Sequence, residues 1–188
     1  MNKCIVLSAP SGSGKTTLAK ALMQQPELQL AFSISATSRA PRNLEQDGKD
    51  YFFLSVEAFQ QQIEKDAFVE YEEVYPGKFY GTLYSELDRI WAQGKDVVFD
   101  IDVVGGLNIK RKYPKETCSI FIQPPSLEIL AQRLHRRNTD SSEDIQTRLQ
   151  KATQELAMAD QFDHIIINDN LDQAQSELLR IVSDFVKK

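Results

Sequence analysis

A stretch rich in glycine and serine near the start of the chain has the residue types needed to hold phosphate groups. It reads Ser8-Ala9-Pro10-Ser11-Gly12-Ser13-Gly14-Lys15-Thr16-Thr17. The apolar run at 4–7 before it, and the helical spacing of Leu18, Ala21 and Leu22 after it, predict a strand, a turn and a helix in that order. Such a turn directs successive backbone N–H groups inward, and the positive end of the following helix dipole also attracts anions.

Lys15 and Thr16 carry the specific chemistry of this loop. The Lys15 ammonium is predicted to reach the β- and γ-phosphates of a nucleotide, and the Thr16 hydroxyl is predicted to bind Mg²⁺. The loop residues predicted to bind ATP are Ala9, Pro10, Ser11, Gly12, Ser13, Gly14, Lys15, Thr16 and Thr17. Ala9 stands where the motif usually has glycine, so we expect a small adjustment of the loop. The alternative is an ordinary surface loop, which the Lys-Thr pair and the strand–helix context disfavour.

Asp100 interrupts an apolar run at 97–101, a pattern typical of a strand buried on both faces of a parallel sheet. An aspartate at the end of such a strand commonly supports the metal in phosphate-loop proteins, so Asp100 is predicted to bind Mg²⁺ together with Thr16. Asp102 is expected to share a face with Asp100 if the strand continues. The alternative for Asp100 is a structural aspartate in a turn.

Several arginines are concentrated on two predicted helices near the end of the chain. Arg133 and Arg137 are four residues apart on the first helix and share a face, and Arg148 lies near the start of the second. In a phosphate-loop protein, this cluster favours a mobile lid that covers a transferring phosphoryl group. A basic cluster alone would instead indicate a solvated helix face.

The composition is that of an ordinary globular domain. The 188 residues are 41% hydrophobic and 26% charged, with a net charge of −5. This charge disfavours broad binding to nucleic acid or to anionic membranes. We expect a cytoplasmic protein, because no apolar run approaches membrane-spanning length and the start of the chain is too short for a signal peptide. Cys4 and Cys118 lie in apolar runs and are expected to be reduced core residues.

Strands alternate with helices along the chain, which predicts an α/β fold with a parallel sheet covered by helices on both faces. With the phosphate loop, this is a P-loop NTPase-type fold. A core of about five parallel strands is predicted from residues 1–33, 85–125 and 158–188. An inserted subdomain is predicted at 34–84, partly antiparallel because Tyr75-Pro76-Gly77 forms a hairpin turn, and a helical lid is predicted at 126–157.

Several motifs in a fixed order resemble those of guanylate kinases, the phosphate-loop enzymes that phosphorylate GMP with ATP. The matching stretches span nearly the whole chain: Ser-Gly-Ser-Gly-Lys-Thr-Thr (11–17), Ser-Ala-Thr-Ser-Arg-Ala-Pro-Arg (35–42), Asp-Gly-Lys-Asp-Tyr-Phe-Phe (47–53), Phe-Val-Glu-Tyr (68–71), Tyr-Gly-Thr (80–82), Asp-Ile-Asp (100–102) and Ile-Asn-Asp (167–169). Many functions share the phosphate loop, whereas the motifs at 38–42, 47–51 and 80–82 are far more specific.

The resemblance implies a role for each matching residue. The clamp on the GMP phosphate would consist of Arg39, Arg42, Tyr51 and Tyr80. The contacts to guanine would come from Ser35, Glu70, Thr82 and Asp102. The transferring phosphoryl group would be stabilised by Lys15, Arg133, Arg137 and Arg148. Asn168 would lie in the loop on the adenine side. Gly105-Gly106 stands where a Gln-Gly pair is usual, and Ser38 where a second Thr is common.

Glu70 also has a physical reason to read the base. Guanine offers N1–H and an exocyclic amine as neighbouring donors, and a carboxylate can accept from both, whereas adenine offers neither. Strand alternation at 68–71 can direct Glu70 into a cleft. The alternative is a solvent-facing strand glutamate, because Glu72 and Glu73 nearby are of the same type.

We therefore expect transfer of the γ-phosphoryl group of ATP to GMP, with ATP and GMP as small-molecule partners and Mg²⁺ as cofactor. A kinase for another nucleoside monophosphate is one alternative, which Glu70 disfavours. A guanylate-kinase-like binding module without catalysis is the other. Such modules typically have a degraded phosphate loop, whereas Gly14, Lys15 and Thr16 are intact here.

Overall fold

The computed structural model describes residues 2–42, 44–136 and 142–187. Its strands are β1 (Cys4–Ser8), β2 (Leu30–Phe32), β3 (Ala36–Thr37), β4 (Phe52–Phe53), β5 (Phe68–Tyr75), β6 (Lys78–Leu83), β7 (Asp96–Ile101), β8 (Thr117–Gln123) and β9 (His164–Ile167). Its α-helices are α1 (Lys15–Met23), α2 (Val56–Glu64), α3 (Tyr84–Trp91), α4 (Val103–Lys112), α5 (Leu127–Arg136), α6 (Ser142–Leu156) and α7 (Leu171–Val186).

A parallel sheet in the order β2-β7-β1-β8-β9 forms the centre of the described chain. Every residue of β1 is buried, as expected for a strand covered on both faces. Ile5 and Leu7 pack into a cluster with α1 and α7, whereas Cys4 and Val6 pack into a cluster with α3 and α4. The predicted α/β fold, with helices on both faces of a parallel sheet, is confirmed. Cys4 and Cys118 are both buried and do not form a disulfide with each other.

A second, smaller sheet in the order β4-β3-β6-β5 is formed by the chain between β2 and α3. Strands β5 and β6 are antiparallel, and Gly77 adopts a positive φ of 72° in the turn between them, which glycine allows without strain. Helix α2 packs on this sheet through Phe59, which stacks on Phe68 at 4.4 Å and on Phe79 at 5.5 Å between ring centroids. The small sheet therefore has its own apolar core.

Strand β2 ends at Phe32. The chain crosses from the central sheet to the small sheet in this segment. The Ser33 N–H donates to the Val98 carbonyl at 3.0 Å, and the Ile34 N–H donates to the buried Glu86 carboxylate at 2.9 Å. These bonds satisfy backbone groups that would otherwise belong to a strand ladder.

Helix α4 was not predicted, because it begins with two β-branched residues and two glycines, which are poor helix formers. Its start is fixed by Asp102, whose carboxylate accepts hydrogen bonds from the N–H groups of Val104 at 2.9 Å and Gly105 at 3.1 Å. Asp102 is thus a helix cap after the end of β7 and does not continue the strand face of Asp100. Helix α3 begins at Tyr84 with no side-chain cap.

Helices α5 and α6 pack against each other through a separate apolar cluster formed by Leu130, Leu134, Ile145 and Ala152. Both helices carry their apolar residues on one face, which explains the pairing. A search of the described residues found no helix long and apolar enough to cross a membrane.

Phe59 tests whether the small sheet depends on its own core. Phe59→Ala removes a fully buried ring and its stacking contacts with two neighbouring rings. We therefore expect the free energy of unfolding, measured in urea, to fall by about 3–5 kcal/mol. Leu44→Ala is the control, because Leu44 is 92% exposed and its loss should change stability by less than about 0.5 kcal/mol. Equal effects of the two substitutions would contradict a separate core.

Candidate active site

A cleft of about 540 Å³ lies between the glycine-rich loop and the small sheet. Lys15 and Thr16 line one side, and Glu70 and Gly81 line the other. Helix α6 contributes its side chains to the same cleft. The cleft follows the carboxyl ends of β1 and β7, which is where ligands bind in open parallel sheets.

The loop between β1 and α1 depends on two glycines with left-handed backbone. Gly12 has a φ of 97° and Gly14 a φ of 92°, conformations that other residues rarely adopt. A Cβ on Gly14 would also overlap the Asn168 side chain. The buried Asn168 amide donates to the Ser13 carbonyl at 2.7 Å, so Asn168 supports the loop from behind. Ala9 is buried at the base of the loop within the apolar cluster under α1.

Lys15, Thr16 and Asp100 come together at the start of α1. The Lys15 ammonium forms an ion pair with the Asp100 carboxylate and donates to the Ile101 carbonyl at 2.9 Å. The Thr16 hydroxyl donates to Asp100 Oδ2 at 3.2 Å. A hydroxyl and a carboxylate are hard oxygen ligands of the kind that Mg²⁺ prefers, and Mg²⁺ bound with nucleotide uses only one or two protein ligands. The described residues contain no cluster of three or more Asp, Glu, His or Cys side chains that could bind a metal ion.

Two of the predicted lid arginines reach the region of the loop. Arg148 on α6 donates to the Ser11 hydroxyl at 2.8 Å, and Arg133 on α5 donates to the Asn168 carbonyl at 2.9 Å. Helix α5 ends at Arg136, and the predicted Arg137 lies outside the described residues.

Arg39 is held in a fixed orientation by aromatic and acidic neighbours. Its guanidinium lies 4.8 Å from the centroid of the Tyr51 ring, and its Nε donates to the Tyr80 hydroxyl at 3.1 Å. Its two terminal nitrogens donate to the two oxygens of Glu45 at 2.6 and 2.7 Å. Arg42, Tyr51 and Tyr80 line the cleft, whereas Arg39 is not among the described residues that line it. Burial raises the pKa of Tyr51.

Glu45 is a site residue that sequence reasoning missed. Its carboxylate pairs with Arg39 and also accepts the Arg42 backbone N–H at 2.8 Å, so it joins the two predicted phosphate ligands. The Arg39 hydrogen bonds hold the pKa of Glu45 at about 2. The available signal was a single carboxylate in a polar turn between basic residues, but such turns have no periodicity from which a partner can be inferred.

Glu70 lies at the base of the cleft and is only 6% exposed, so the solvent-facing alternative is wrong. The buried Thr82 hydroxyl donates to Glu70 Oε1 at 2.8 Å, across the β5–β6 pair in which these residues are opposite. Burial raises the pKa of Glu70 to about 7, the Asp102 charge adds to this effect, and the Thr82 hydrogen bond opposes it. Ser35 and Asp102 line the same cleft, so the structure brings these four predicted residues together.

Lys151 and Glu155 on α6 are further charged side chains of the cleft, and they were not predicted. Arg148, Lys151 and Glu155 are spaced at three and four residues and line the cleft together. Lys151 lies 3.8 Å from Glu155 and 5.2 Å from the centroid of the Tyr75 ring on the small sheet. Burial raises the pKa of Glu155 to about 7. The helical spacing from Arg148 was the signal that could have found them.

Comparison with known proteins decides the family. The family model described as guanylate kinase matches residues 1–185. The chain belongs to the guanylate kinase family. It is 50% identical to the guanylate kinase of Porphyromonas gingivalis over 188 residues, which is 100% of both chains. It is also 50% identical to that of Bacteroides thetaiotaomicron over 186 residues, 99% of this chain and 91% of the relative.

A solved structure supports the same assignment at the level of the fold. The crystal structure of guanylate kinase from Anaplasma phagocytophilum matches with a TM-score of 0.80 and 28% sequence identity, over 100% of this chain and 87% of that one. The guanylate kinase fold therefore extends over the cleft described above.

The Arg39–Glu45 pair generates a prediction about stability and pH. The folded-state pKa of Glu45, about 2, lies below its ordinary value of 4.5, so the pair stabilises the fold at neutral pH and loses this effect as the pH falls from about 4.5 toward 2. Glu45→Gln should lower the free energy of unfolding at pH 7 by about 1 kcal/mol, a modest value because the pair is partly exposed to solvent.

Urea unfolding at a series of pH values measures this difference. It should be constant above about pH 5 and shrink at lower pH. Glu64→Gln, on an exposed position of α2, is the control and should show little change at any pH. A Glu45→Gln difference that does not depend on pH would contradict an ionic contribution.

Proposed function

We propose that this chain transfers the γ-phosphoryl group of ATP to GMP, giving ADP and GDP, with Mg²⁺ as cofactor. The observation that carries the proposal is that one cleft joins a phosphate-binding loop to a buried carboxylate–hydroxyl pair on the facing sheet. The loop suits the triphosphate of a donor nucleotide, and the carboxylate suits the base of a purine acceptor that presents two neighbouring donors.

Glu70 and Thr82 are proposed to read guanine. The carboxylate of Glu70 accepts from N1–H and from the exocyclic amine, with Ser35 and Asp102 beside it in the cleft. Adenine presents no donor at these two positions, so the buried carboxylate would gain no hydrogen bond from the ligand. A site built to bond a substrate group rejects an analogue that lacks it by roughly 10⁴–10⁵ in kcat/KM.

The GMP phosphate is proposed to bind near Arg39, Arg42, Tyr51 and Tyr80. Arg39 is already fixed by Glu45 and by the Tyr51 ring, so this side of the cleft is ordered before substrate arrives. Preorganised cations and hydroxyls place a dianionic phosphate without a large loss of side-chain entropy. The acceptor oxygen then faces the loop across the cleft.

Lys15, Thr16 and Asp100 are proposed to serve the donor nucleotide. Thr16 and Asp100 would hold Mg²⁺, which neutralises charge on the β- and γ-phosphate oxygens. When phosphates occupy the loop, Lys15 exchanges its contact with Asp100 for the β- and γ-phosphates. The backbone N–H groups of residues 12–16 surround the same phosphates, and Asn168 keeps the loop in the required shape.

Arg133, Arg137 and Arg148 are proposed to stabilise the transferring phosphoryl group. Positive charge around its equatorial oxygens is the main contribution that a protein makes to this reaction. We propose that residues 126–157 act as a lid, 34–84 as the GMP-binding subdomain, and 1–33, 85–125 and 158–188 as the core. Closure of the lid over both nucleotides would exclude water and so limit ATP hydrolysis.

The proposed partners are ATP and GMP, with a cytoplasmic location and with neither nucleic acid nor membrane as a partner. The net charge of −5 supports this proposal, because it disfavours polyanionic surfaces. A coupled assay for ADP release tests the proposal with ATP and, in turn, GMP, AMP, CMP and UMP. Of the four monophosphates, only GMP is expected to cause ADP release. Preference for another nucleotide would indicate a different monophosphate kinase, and GMP binding without ADP release would indicate a binding module.

The loop lysine provides the first test of the residues assigned to this function. Lys15→Met removes the charge at the phosphates while keeping most of the side-chain volume, so kcat should fall by about 10³-fold or more with the fold intact. Lys20→Met is the matched control, because Lys20 lies on the same helix and lines the same cleft. Steady-state kinetics and a circular dichroism spectrum check both variants, and near-normal turnover of Lys15→Met would refute the assignment.

The base-reading carboxylate provides the second. Glu70→Ala removes both acceptors for guanine, so kcat/KM for GMP should fall by at least about 10²-fold while the KM for ATP barely changes. Glu73→Ala is the control, because Glu73 lies on the same strand but is exposed. Unchanged preference of Glu70→Ala for GMP over AMP would mean that guanine is read elsewhere.

The pH dependence of GMP binding provides the third. Because burial raises the pKa of Glu70 to about 7, this carboxyl group is protonated below that pH and loses an acceptor needed by guanine. The KM for GMP should therefore rise as the pH falls below about 7, approaching tenfold per pH unit. In Glu70→Gln the KM for GMP should be high at every pH and should lack the rise that protonation of Glu70 causes. Titration of the GMP phosphate affects both proteins alike, so identical pH profiles would exclude Glu70 as the titrating group.

A further inference from the structure

Gly105 is a glycine whose backbone does not require one. It is buried in the first turn of α4 and is absent from the described glycines with positive φ, so other residues could adopt its conformation. Glycine is also a poor helix former. A reason for glycine at this position must therefore come from the space around it.

The Glu70 carboxylate occupies the space that a side chain at 105 would need. A Cβ on Gly105 would lie 2.6 Å from Glu70 Oε2, 3.3 Å from Glu70 Cδ and 3.2 Å from Asp102 Oδ2. Real Cβ atoms essentially never approach another atom as closely as 2.6 Å. The carboxylate cannot withdraw freely, because its other oxygen accepts the Thr82 hydroxyl at 2.8 Å.

Glycine also allows the close approach of the strand that carries Glu70. A Cβ on Gly81 would lie 2.8 Å from the Glu70 carbonyl oxygen and 2.8 Å from Tyr71 Cβ. Gly81 therefore makes room for the backbone of Glu70, and Gly105 makes room for its carboxylate. The position of this carboxylate in the cleft is set from both sides.

We propose that Gly105 is a specificity-determining position that sets where the Glu70 carboxylate lies and thereby how well it reads the base. The inference rests on the proposed function, in which Glu70 accepts from guanine. A side chain at 105 forces the carboxylate away from the start of α4 and weakens its bond to Thr82. Both oxygens then leave the positions that suit N1–H and the exocyclic amine. Gly105 acts through Glu70 and is thus a positioning residue.

Gly106, the next residue, has a different environment and provides a matched control. A Cβ there would overlap the Ser8 hydroxyl and lie 3.0 Å from Val6 Cγ1, both on β1 of the central sheet. It would contact Phe162 at 3.4 Å. Gly106→Ala is thus expected to lower stability through packing, without a selective change in base preference.

Steady-state kinetics with GMP and IMP test the proposal, because IMP keeps N1–H but lacks the exocyclic amine. Gly105→Ala should raise the KM for GMP by about tenfold or more, with kcat and the KM for ATP within about twofold of wild type. The preference for GMP over IMP in kcat/KM should narrow. In Gly106→Ala this preference should match wild type.

A double-mutant cycle with Glu70→Ala separates the inference from the proposed function. In the Glu70→Ala background, Gly105→Ala should cause little further loss with GMP, because the carboxylate atoms that it displaces are gone and only the 3.2 Å contact with Asp102 Oδ2 remains. If Glu70→Ala itself leaves the GMP preference unchanged, guanine reading by Glu70 fails. If Glu70→Ala reduces the preference but Gly105→Ala leaves both the KM for GMP and the preference at wild type, the role of Gly105 fails alone.

Thermal unfolding keeps the proposal testable even if Gly105→Ala folds poorly. Alanine favours a helix over glycine, so the Glu70→Ala, Gly105→Ala double variant should be at least as stable as Glu70→Ala. Equal destabilisation by Gly105→Ala in both backgrounds would show that Glu70 is not the group displaced, and would overturn the inference.

Discussion

The cleft depends on keeping the carboxylate of Glu70 away from water, with Thr82 as its hydrogen-bond partner. Burial of this kind disfavours the charged form and raises its pKa to about 7. The fold accepts this cost by fixing the carboxylate from several directions: Thr82 donates to it across the β5–β6 pair, Gly81 admits its backbone, and Gly105 admits its oxygen. A ligand that offers two donors would supply the missing partners. The Glu70 carboxylate is thus positioned to bind a substrate, although its burial lowers the stability of the ligand-free protein.

The two ends of the cleft are held in register by the central sheet. Strand β7 carries Asp100 next to its last residue, and Asp100 contacts Lys15 and Thr16. Asp102 follows the strand and caps α4 beside Glu70. One strand and the turn after it therefore connect the loop to the base-reading end. Because β7 is paired with β1 from Val97 to Ile101, the central sheet fixes Asp100 relative to the loop that follows β1.

Features of the fold and the site could be predicted from the sequence where the local residue types favour a single structure. The glycine-rich loop, the aspartate near the end of β7 and the hairpin at Pro76-Gly77 follow from local composition and spacing. Prediction failed where a tertiary contact decides. Helix α4 begins with residues that disfavour helices, and only the Asp102 cap and the packing of Leu107 and Ile109 explain it. Glu45 lies in an irregular turn, where no period indicates that it pairs with Arg39. Glu70 on β5 lies against Gly105 on α4. A contact between two separate elements leaves no pattern in a single sequence, so it could not be predicted.

A crystal structure of the chain with GMP, Mg²⁺ and a non-hydrolysable ATP analogue would show whether Glu70 binds guanine and whether the glycine-rich loop binds the phosphates of ATP. The account predicts that guanine N1 and the exocyclic amine lie within hydrogen-bond distance of the two Glu70 oxygens. It also predicts that the ATP analogue places its phosphates in the loop at residues 9–17. Guanine bound away from Glu70, or phosphates bound away from Lys15, would contradict the account.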